Sequence, residues 1–335
     1  MNSCLIAEDA LGHRADLVLG TGLETSDMPA RSFQIVRVGE AAFEFEVMIY
    51  DGKRSLLRPL LICHSIEFPV PPSDEFCAKM QAAGLQVIFV RRAGYGRSSP
   101  LPQALVTDSL IRSGATAMAE AVMMRQLITK LGLSDVVFLA MGSSNLIAYR
   151  LVKIAPEITF TVFANPVFNQ DIFQVFTPDW FRAMLKQIVT SKSGLKVAIQ
   201  GMKLLIRKDP VAFYNHIYHK NAHDLRYVQD NADDYREAGQ FALDTTPAQL
   251  FYDAIMLLDQ DPLLRDGYFG DTQGIILIGR ESSEYWRSQM EREADRLALP
   301  VVHAPRGDLF CAYASPETLL ELVETQAPSD HYELA

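Results

Sequence analysis

The chain has 335 residues, 49% of them hydrophobic, and a formal net charge of -10 at neutral pH. That is enough apolar material for one large α/β domain with an insertion, or for two modest domains. The acid excess excludes a general nucleic-acid binder, which needs a basic footprint to neutralise phosphates.

In chain order, residues 1 to 33 show no clear period and are read as an N-terminal extension. The opening Met-Asn-Ser-Cys-Leu-Ile-Ala-Glu-Asp lacks the basic and apolar regions of a signal peptide. No stretch approaches the roughly 20 apolar residues of a transmembrane helix, so a soluble protein is expected. Cys4, Cys63, Cys77 and Cys311 lack Cys-x-x-Cys spacing, which indicates neither a zinc cage nor a disulfide framework and points to a reducing cytoplasm.

From Ser32 to Tyr50, Phe33, Ile35, Val36 and Val38, then Phe43, Phe45, Val47 and Ile49, flank a turn at Gly39 and predict a β-hairpin. Leu57 to Cys63 predicts a strand that ends in His64-Ser65 and a loop through Phe68 to Pro72. A helix over Glu75 to Ala83 and a strand over Gln86 to Val90 complete a strand-helix-strand unit. In the helix Ala115 to Leu131, the positions Met124, Leu127, Ile128 and Leu131 form the stripe of a helix that packs on a sheet.

Asp135 to Arg150 then runs from an apolar strand through small residues into a helix, the pattern of a nucleophile elbow. An elbow needs small residues two positions either side of its tip. Centring on Gly142 supplies Ala140 and Ser144, whereas Ser143 would need Met141 and Asn145, and Ser144 would put Leu146 in the crossing. The tip is therefore read as glycine, which adopts the strained backbone but offers no nucleophile. Thr159 to Ala164 is the next strand, residues 167 to 250 are helical and aromatic, Gly274 to Gly279 and Leu299 to Ala304 are late strands, and helices are predicted over Glu284 to Leu297 and Pro316 to Gln326.

The stretch Arg91-Arg92-Ala93-Gly94-Tyr95-Gly96-Arg97-Ser98 resembles the Asp-x-x-Gly-x-Gly-x-Ser turn of the α/β-hydrolase superfamily, with Arg91 where that family has aspartate. With the His64-Ser65 loop and the elbow, the resemblance covers residues 33 to 165. It implies a mostly parallel sheet flanked by helices, with a core over 34–166 and 251–335 and an inserted helical cap over 167–250. It also implies a Ser, acid and His triad, because a serine hydroxyl is a weak nucleophile until an oriented imidazole takes its proton. The corresponding positions here are Gly142, Ser282 (with Glu281 beside it) and Asp308. His303 lies earlier, inside the last strand. The N-myc downstream-regulated family is similar in having an elbow glycine and no working triad.

Several residues keep two readings. Ser143 and Ser144 are displaced nucleophiles or, more simply, hydroxyls at a helix start. His64 is a cleft base or a histidine that orders its loop. Asp308 could form an ion pair with Arg91 or Arg92 across the mouth, which would be structural. His216, His219 and His223, at i, i+3 and i+7, would share a helix face and permit a metal, although a polar face of a cap helix explains them and no metal is expected. Between Trp180 and Lys208 lie seven cations and no acid beside an apolar stripe, which suits an acidic amphiphile, a membrane surface, an acidic partner or a solvated cap face.

The leading expectation is a non-hydrolytic protein that binds a small apolar or acidic ligand between core and cap in a sensory or regulatory role. The expected pocket is lined by His64, Ser65, Phe68, Met141, Gly142, Ser143, Asp308 and Phe310, and no cofactor is expected. A hydrolase or lyase-like enzyme using Ser143, Ser144 or His64 is the alternative, and a ligand-free scaffold is the third. A homodimer or a protein partner stays open.

Overall fold

The computed structural model describes residues 31–39, 42–50, 57–65, 69–167, 179–258 and 264–326. Residues 1 to 30 and Phe68 fall outside that set. The hairpin forms from Arg31–Val38 (β1) and Phe43–Tyr50 (β2), paired antiparallel with Arg31 opposite Tyr50. Residues 31 to 33 therefore belong to the sheet rather than to an extension reaching 33.

The remaining strands are Arg58–Cys63 (β3), Leu85–Val90 (β4), Val136–Met141 (β5), Ile158–Ala164 (β6), Gly274–Gly279 (β7) and Val301–Ala304 (β8). They form one sheet of order β1-β2-β4-β3-β5-β6-β7-β8, antiparallel through β2–β4 and parallel from β4 onward. Strands such as Val-Val-Phe-Leu-Ala-Met are wholly apolar because helices cover both faces. Alternate residues go to opposite cores: Phe138, Ala140, Phe163 and Ile276 to one, and Val137, Leu139, Met141, Val162 and Leu277 to the other.

The helices before β6 are Asp74–Ala82 (α1), Asp108–Arg112 (α2), Ala115–Lys130 (α3) and Asn145–Ile154 (α4). Between β6 and β7 come Asp179–Thr190 (α5), Lys192–Lys208 (α6), Pro210–Tyr218 (α7), Ala222–Asp230 (α8), Ala232–Asp244 (α9) and Pro247–Leu258 (α10). Then follow Glu284–Leu297 (α11), Cys311–Ala314 (α12) and Pro316–Gln326 (α13). The stripe of α3 faces the sheet as expected, with Met124, Leu127 and Ile128 fully buried.

The helices between β6 and β7 join both cores. Tyr214, Tyr218, Val228, Tyr235 and Ala238 of α7, α8 and α9 pack with Phe310 and Tyr313, while Leu195 and Ile199 of α6 and Leu250, Tyr252 and Ile255 of α10 join the opposite cluster. Lys203 of α6 turns inward, its Nζ donating to the carbonyls of Leu243 and Thr245 at 2.8 and 2.9 Å. A cation there offsets the negative end of α9.

Candidate functional site

The site lies at the carboxyl ends of the parallel strands, where ligands of such sheets bind. There β5 ends at Met141 and the chain turns through one short 3-10 turn, Gly142–Ser144, into α4. Gly142 has φ +52°, a left-handed conformation that costs other residues about 1–2 kcal/mol.

Both elbow hydroxyls are already engaged. Ser144 Oγ accepts from the Met141 amide at 2.8 Å and offers its proton to the carbonyls of Met141 and Cys63, at 2.8 and 3.0 Å, tying β5 to β3. Ser143 donates its backbone N–H to Ser65 Oγ at 3.2 Å, and the two side-chain oxygens are 2.9 Å apart. In a hydrolase elbow, the amide after the tip is one of the donors that would hold an oxyanion. Here a fully buried serine hydroxyl accepts its proton.

His64 turns away from the elbow. Its Nε2 accepts from the Arg92 amide at 3.0 Å, so Nδ1 carries the proton and donates to Ser65 O at 2.6 Å. Burial, followed by the Arg92 charge, pushes its pKa well below the ordinary value. The ring packs on Tyr95 and Phe89, which makes it a neutral tie between β3 and the loop after β4.

The two arginines also face elsewhere. Arg92 is wholly buried between Glu120 of α3, at 3.3 Å, and Asp253 of α10, at 3.0 Å, with the Tyr95 and Tyr252 hydroxyls donating to those carboxylates. Arg91 pairs with Glu46 and Glu237 and stacks 3.8 Å from the Phe241 ring. The expected ion pair of Asp308 with either arginine is thus corrected: nearer carboxylates on β2, α3, α9 and α10 take both cations.

Asp308, on the loop after β8, is held by hydrogen bonds. Its Oδ1 accepts from Asn165 Nδ2 at 3.1 Å and from Ser282 Oγ, and its Oδ2 accepts from Asn221 Nδ2 at 3.0 Å. Burial raises its pKa despite those donors. Asp224 of α8 accepts from the Asp308 and Leu309 amides, at 3.1 and 2.9 Å, and burial together with the neighbouring Asp308 charge raises its pKa to about 7. Glu281 grips His223, accepting from both its ring and its amide. The loops after β7 and β8 approach so closely that a Cβ on Gly279 would lie 1.8 Å from Gly307 O.

Histidine spacing misled. α7 ends at Tyr218 and α8 begins at Ala222, so His223 sits on a different helix from His216 and binds Glu281. His219 caps its own turn on His216 O. Among the described residues no group of three or more His, Cys, Asp or Glu is arranged to hold a metal ion. His303, in β8, is half exposed beside Glu291.

Of the expected pocket residues, Ser65, Gly142 and Ser143 come together at the elbow, and Asp308 is bonded to Asn165, the residue after β6. Met141 is buried in the sheet core, and Phe310 is buried among Tyr218, Tyr227, Tyr235 and Tyr313. Sequence reasoning missed Asn145, Asn165, Asn221 and Asp224. Asn145 donates to Gly142 O at 2.6 Å. The Oδ1 atoms of Asn145 and Asn165 are buried without a hydrogen-bond partner among the described residues, and Asn165 carries φ +45°. Such acceptors cost about 1–3 kcal/mol each when left unsatisfied.

No protein-family model and no curated protein matches the chain. Solved structures do. The Cif epoxide hydrolase from Acinetobacter nosocomialis aligns with TM-score 0.62 over 98% of each chain at 11% identity. A bromoperoxidase from Bacillus anthracis aligns with TM-score 0.58 over 88% of this chain and 100% of its own at 17% identity. An esterase from Exiguobacterium antarcticum gives TM-score 0.54 over 88% and 99% at 14% identity. At such identities the likeness is one of fold.

Proposed function

We propose, from the α/β-hydrolase fold that this chain shares with those structures, that it is a non-hydrolytic member of the fold. In this reading the helices between β6 and β7 cap the elbow, and the cleft holds a small ligand in a sensory or regulatory role. The observation that carries it is the state of the three triad positions. Gly142 has no nucleophile, Ser282 donates to Asp308, and Asp308 is already bonded by Asn165, Asn221 and Ser282. Each donor that stabilises the carboxylate weakens it as a base.

The ligand class follows from the unpartnered acceptors. A small, mostly apolar molecule with a hydrogen-bond donor would satisfy Asn165 Oδ1 or Asn145 Oδ1, whereas an acid would meet Asp308 and Asp224. The cations of α6 give no support to an acidic ligand at the elbow, since Lys196, Arg207 and Lys208 are exposed.

The alternative, an enzyme with a displaced Ser143, Ser144 or His64, rests on the hydrolase neighbours. A fluorophosphonate probe separates the two: the binding reading expects no labelling of the native protein, and labelled Ser143 or Ser144 would overturn it. Thermal melting against neutral amides, amines and fatty acids should then show stabilisation by donor-bearing apolar compounds, because a ligand bound only to the folded state raises the melting temperature.

A further inference from the structure

The inner face of α6 is Leu195, Ile199 and Ile206, buried at or below 9% exposure. A helix on a protein surface ordinarily shows water its polar residues. The outward side of α6 instead carries Val197, Gly201, Leu204 and Lys208 at i, i+4, i+7 and i+11, with Leu205 adjoining. Val197 is 70% exposed, Leu204 63% and Leu205 59%. One flank of that stripe carries the exposed cations Lys196 and Arg207. α5, packed against α6, adds Trp180 at 69% exposure, a residue suited to the boundary between apolar and aqueous phases.

Charge sets the kind of occupant. The chain carries -10 overall, yet no Asp or Glu occurs between Trp180 and Lys208. Lys203 is turned into the protein and Arg182 is paired with Asp179, so among the described side chains the cations that face outward from α6 are Lys196, Arg207 and Lys208. The 17 residues of α6 make a rod of about 26 Å. An apolar stripe over its middle turns, Val197 to Leu205, with cations along one flank and at its end, matches a helix lying in the plane of a bilayer, side chains in the acyl boundary and cations among lipid phosphates.

We infer that the outward face of α5 and α6 docks on an anionic membrane surface, lying flat on it. Among the described residues no helix is long and apolar enough to cross a bilayer, so the contact is peripheral. It is independent of the elbow, and labelling or ligand results there do not bear on it.

The test is flotation of the full chain with vesicles of phosphatidylcholine alone or with one third phosphatidylglycerol. Binding is expected to the anionic vesicles, weakly or not at all to the neutral ones, and to fall at 0.5 M salt, where screening is nearly complete within about 5 Å. Val197→Glu and Leu204→Glu should each lower partitioning about tenfold. Their exposure leaves folding intact, which an unchanged melting curve would verify. Lys196→Glu with Lys208→Glu should abolish the preference for anionic lipid while keeping the melting curve. No flotation with either vesicle, or unaltered binding by both apolar variants, overturns the inference. So does a lipid-free dimer that Leu204→Glu dissociates, because a second copy would then own the face.

Discussion

Gly142→Ser places a hydroxyl at the turn after β5 but does not supply a nucleophile's chemistry. The new side chain must accept φ +52°, at a cost of about 1–2 kcal/mol in stability. Where the resemblance expects the triad histidine the chain has Asp308, whose carboxylate is bonded by Asn165, Asn221 and Ser282, and not an imidazole poised near neutral pH. Loss of the triad's imidazole costs on the order of 10⁶ in kcat in a serine hydrolase, about 8 kcal/mol of barrier. The Ser143 amide is given to Ser65 Oγ, and losing one oxyanion donor costs about 10²–10³ more. Hydrolysis of p-nitrophenyl butyrate by Gly142→Ser is therefore expected to be indistinguishable from buffer. Gly142→Ser with Asp308→His and Ser65→Ala removes both deficits and is expected to be the first variant that a fluorophosphonate labels. Saturable turnover by the single variant would refute the reasoning, since some other group would then be acting as the base.

Other perturbations address the scaffold and its charges. Glu120→Ala leaves Arg92 with Asp253 alone in a fully buried site, and breaking such a pair costs about 3–5 kcal/mol, or on the order of 10 °C in melting temperature for a chain of this size; a shift below 2 °C would show the network to be idle. Gly279→Ala forces the β7 and β8 loops apart, because the new Cβ would sit 1.8 Å from Gly307 O; about 3 kcal/mol of destabilisation is expected in urea unfolding, and a neutral result would mean the loops yield freely. Asp224 has a folded pKa of about 7, above the unfolded 3.8. The folded state thus holds the extra proton between those values, and stability falls as pH rises from about 4 to 7, then levels. Asp224→Asn abolishes that slope while losing one of the two amide bonds, so the stability difference between wild type and variant should be largest near pH 4 and shrink steadily by pH 8; a difference independent of pH would assign Asp224 no titration in this range.

Much of the fold was legible because strands and helices covered on both sides leave strong apolar signals. The β5 run, the small residues about Gly142 and the stripe of α3 each follow from local period and steric need. What stayed hidden depended on long-range pairing. Glu120 interrupts the inward stripe of α3, between Ala117 and Met124, and a carboxylate there signals a buried cation. Nothing local said which of Arg91 and Arg92 would supply it. The histidines failed for a different reason: equal spacing implies a shared face only if the helix continues, and α7 stops at Tyr218 before Asn221 begins the next. Asn165 and Asn221 carried no pattern at all, since each acts through one amide that reaches Asp308 from a distant segment.

On the proposed non-hydrolytic reading, the carboxylates that follow β7 and β8 fit the rest of the molecule. A catalytic carboxylate orients an imidazole and leaves the surrounding helices free to open for substrate. Here the loops after β7 and β8 hold α8 instead. Asp308 accepts from Asn221 just before the helix, Asp224 from within it takes the amides of Asp308 and Leu309, and Glu281 takes His223 at its first turn. A base must be free to take a proton, and a docking residue must be saturated with donors; one carboxylate does not serve both ends. Replacing Asp308 by histidine would supply an imidazole but release Asn221, Asn165 and Ser282 together. Introducing hydrolysis by this route is therefore tied to loosening α8, and single substitutions toward a triad are each expected to destabilise the fold before they approach catalysis.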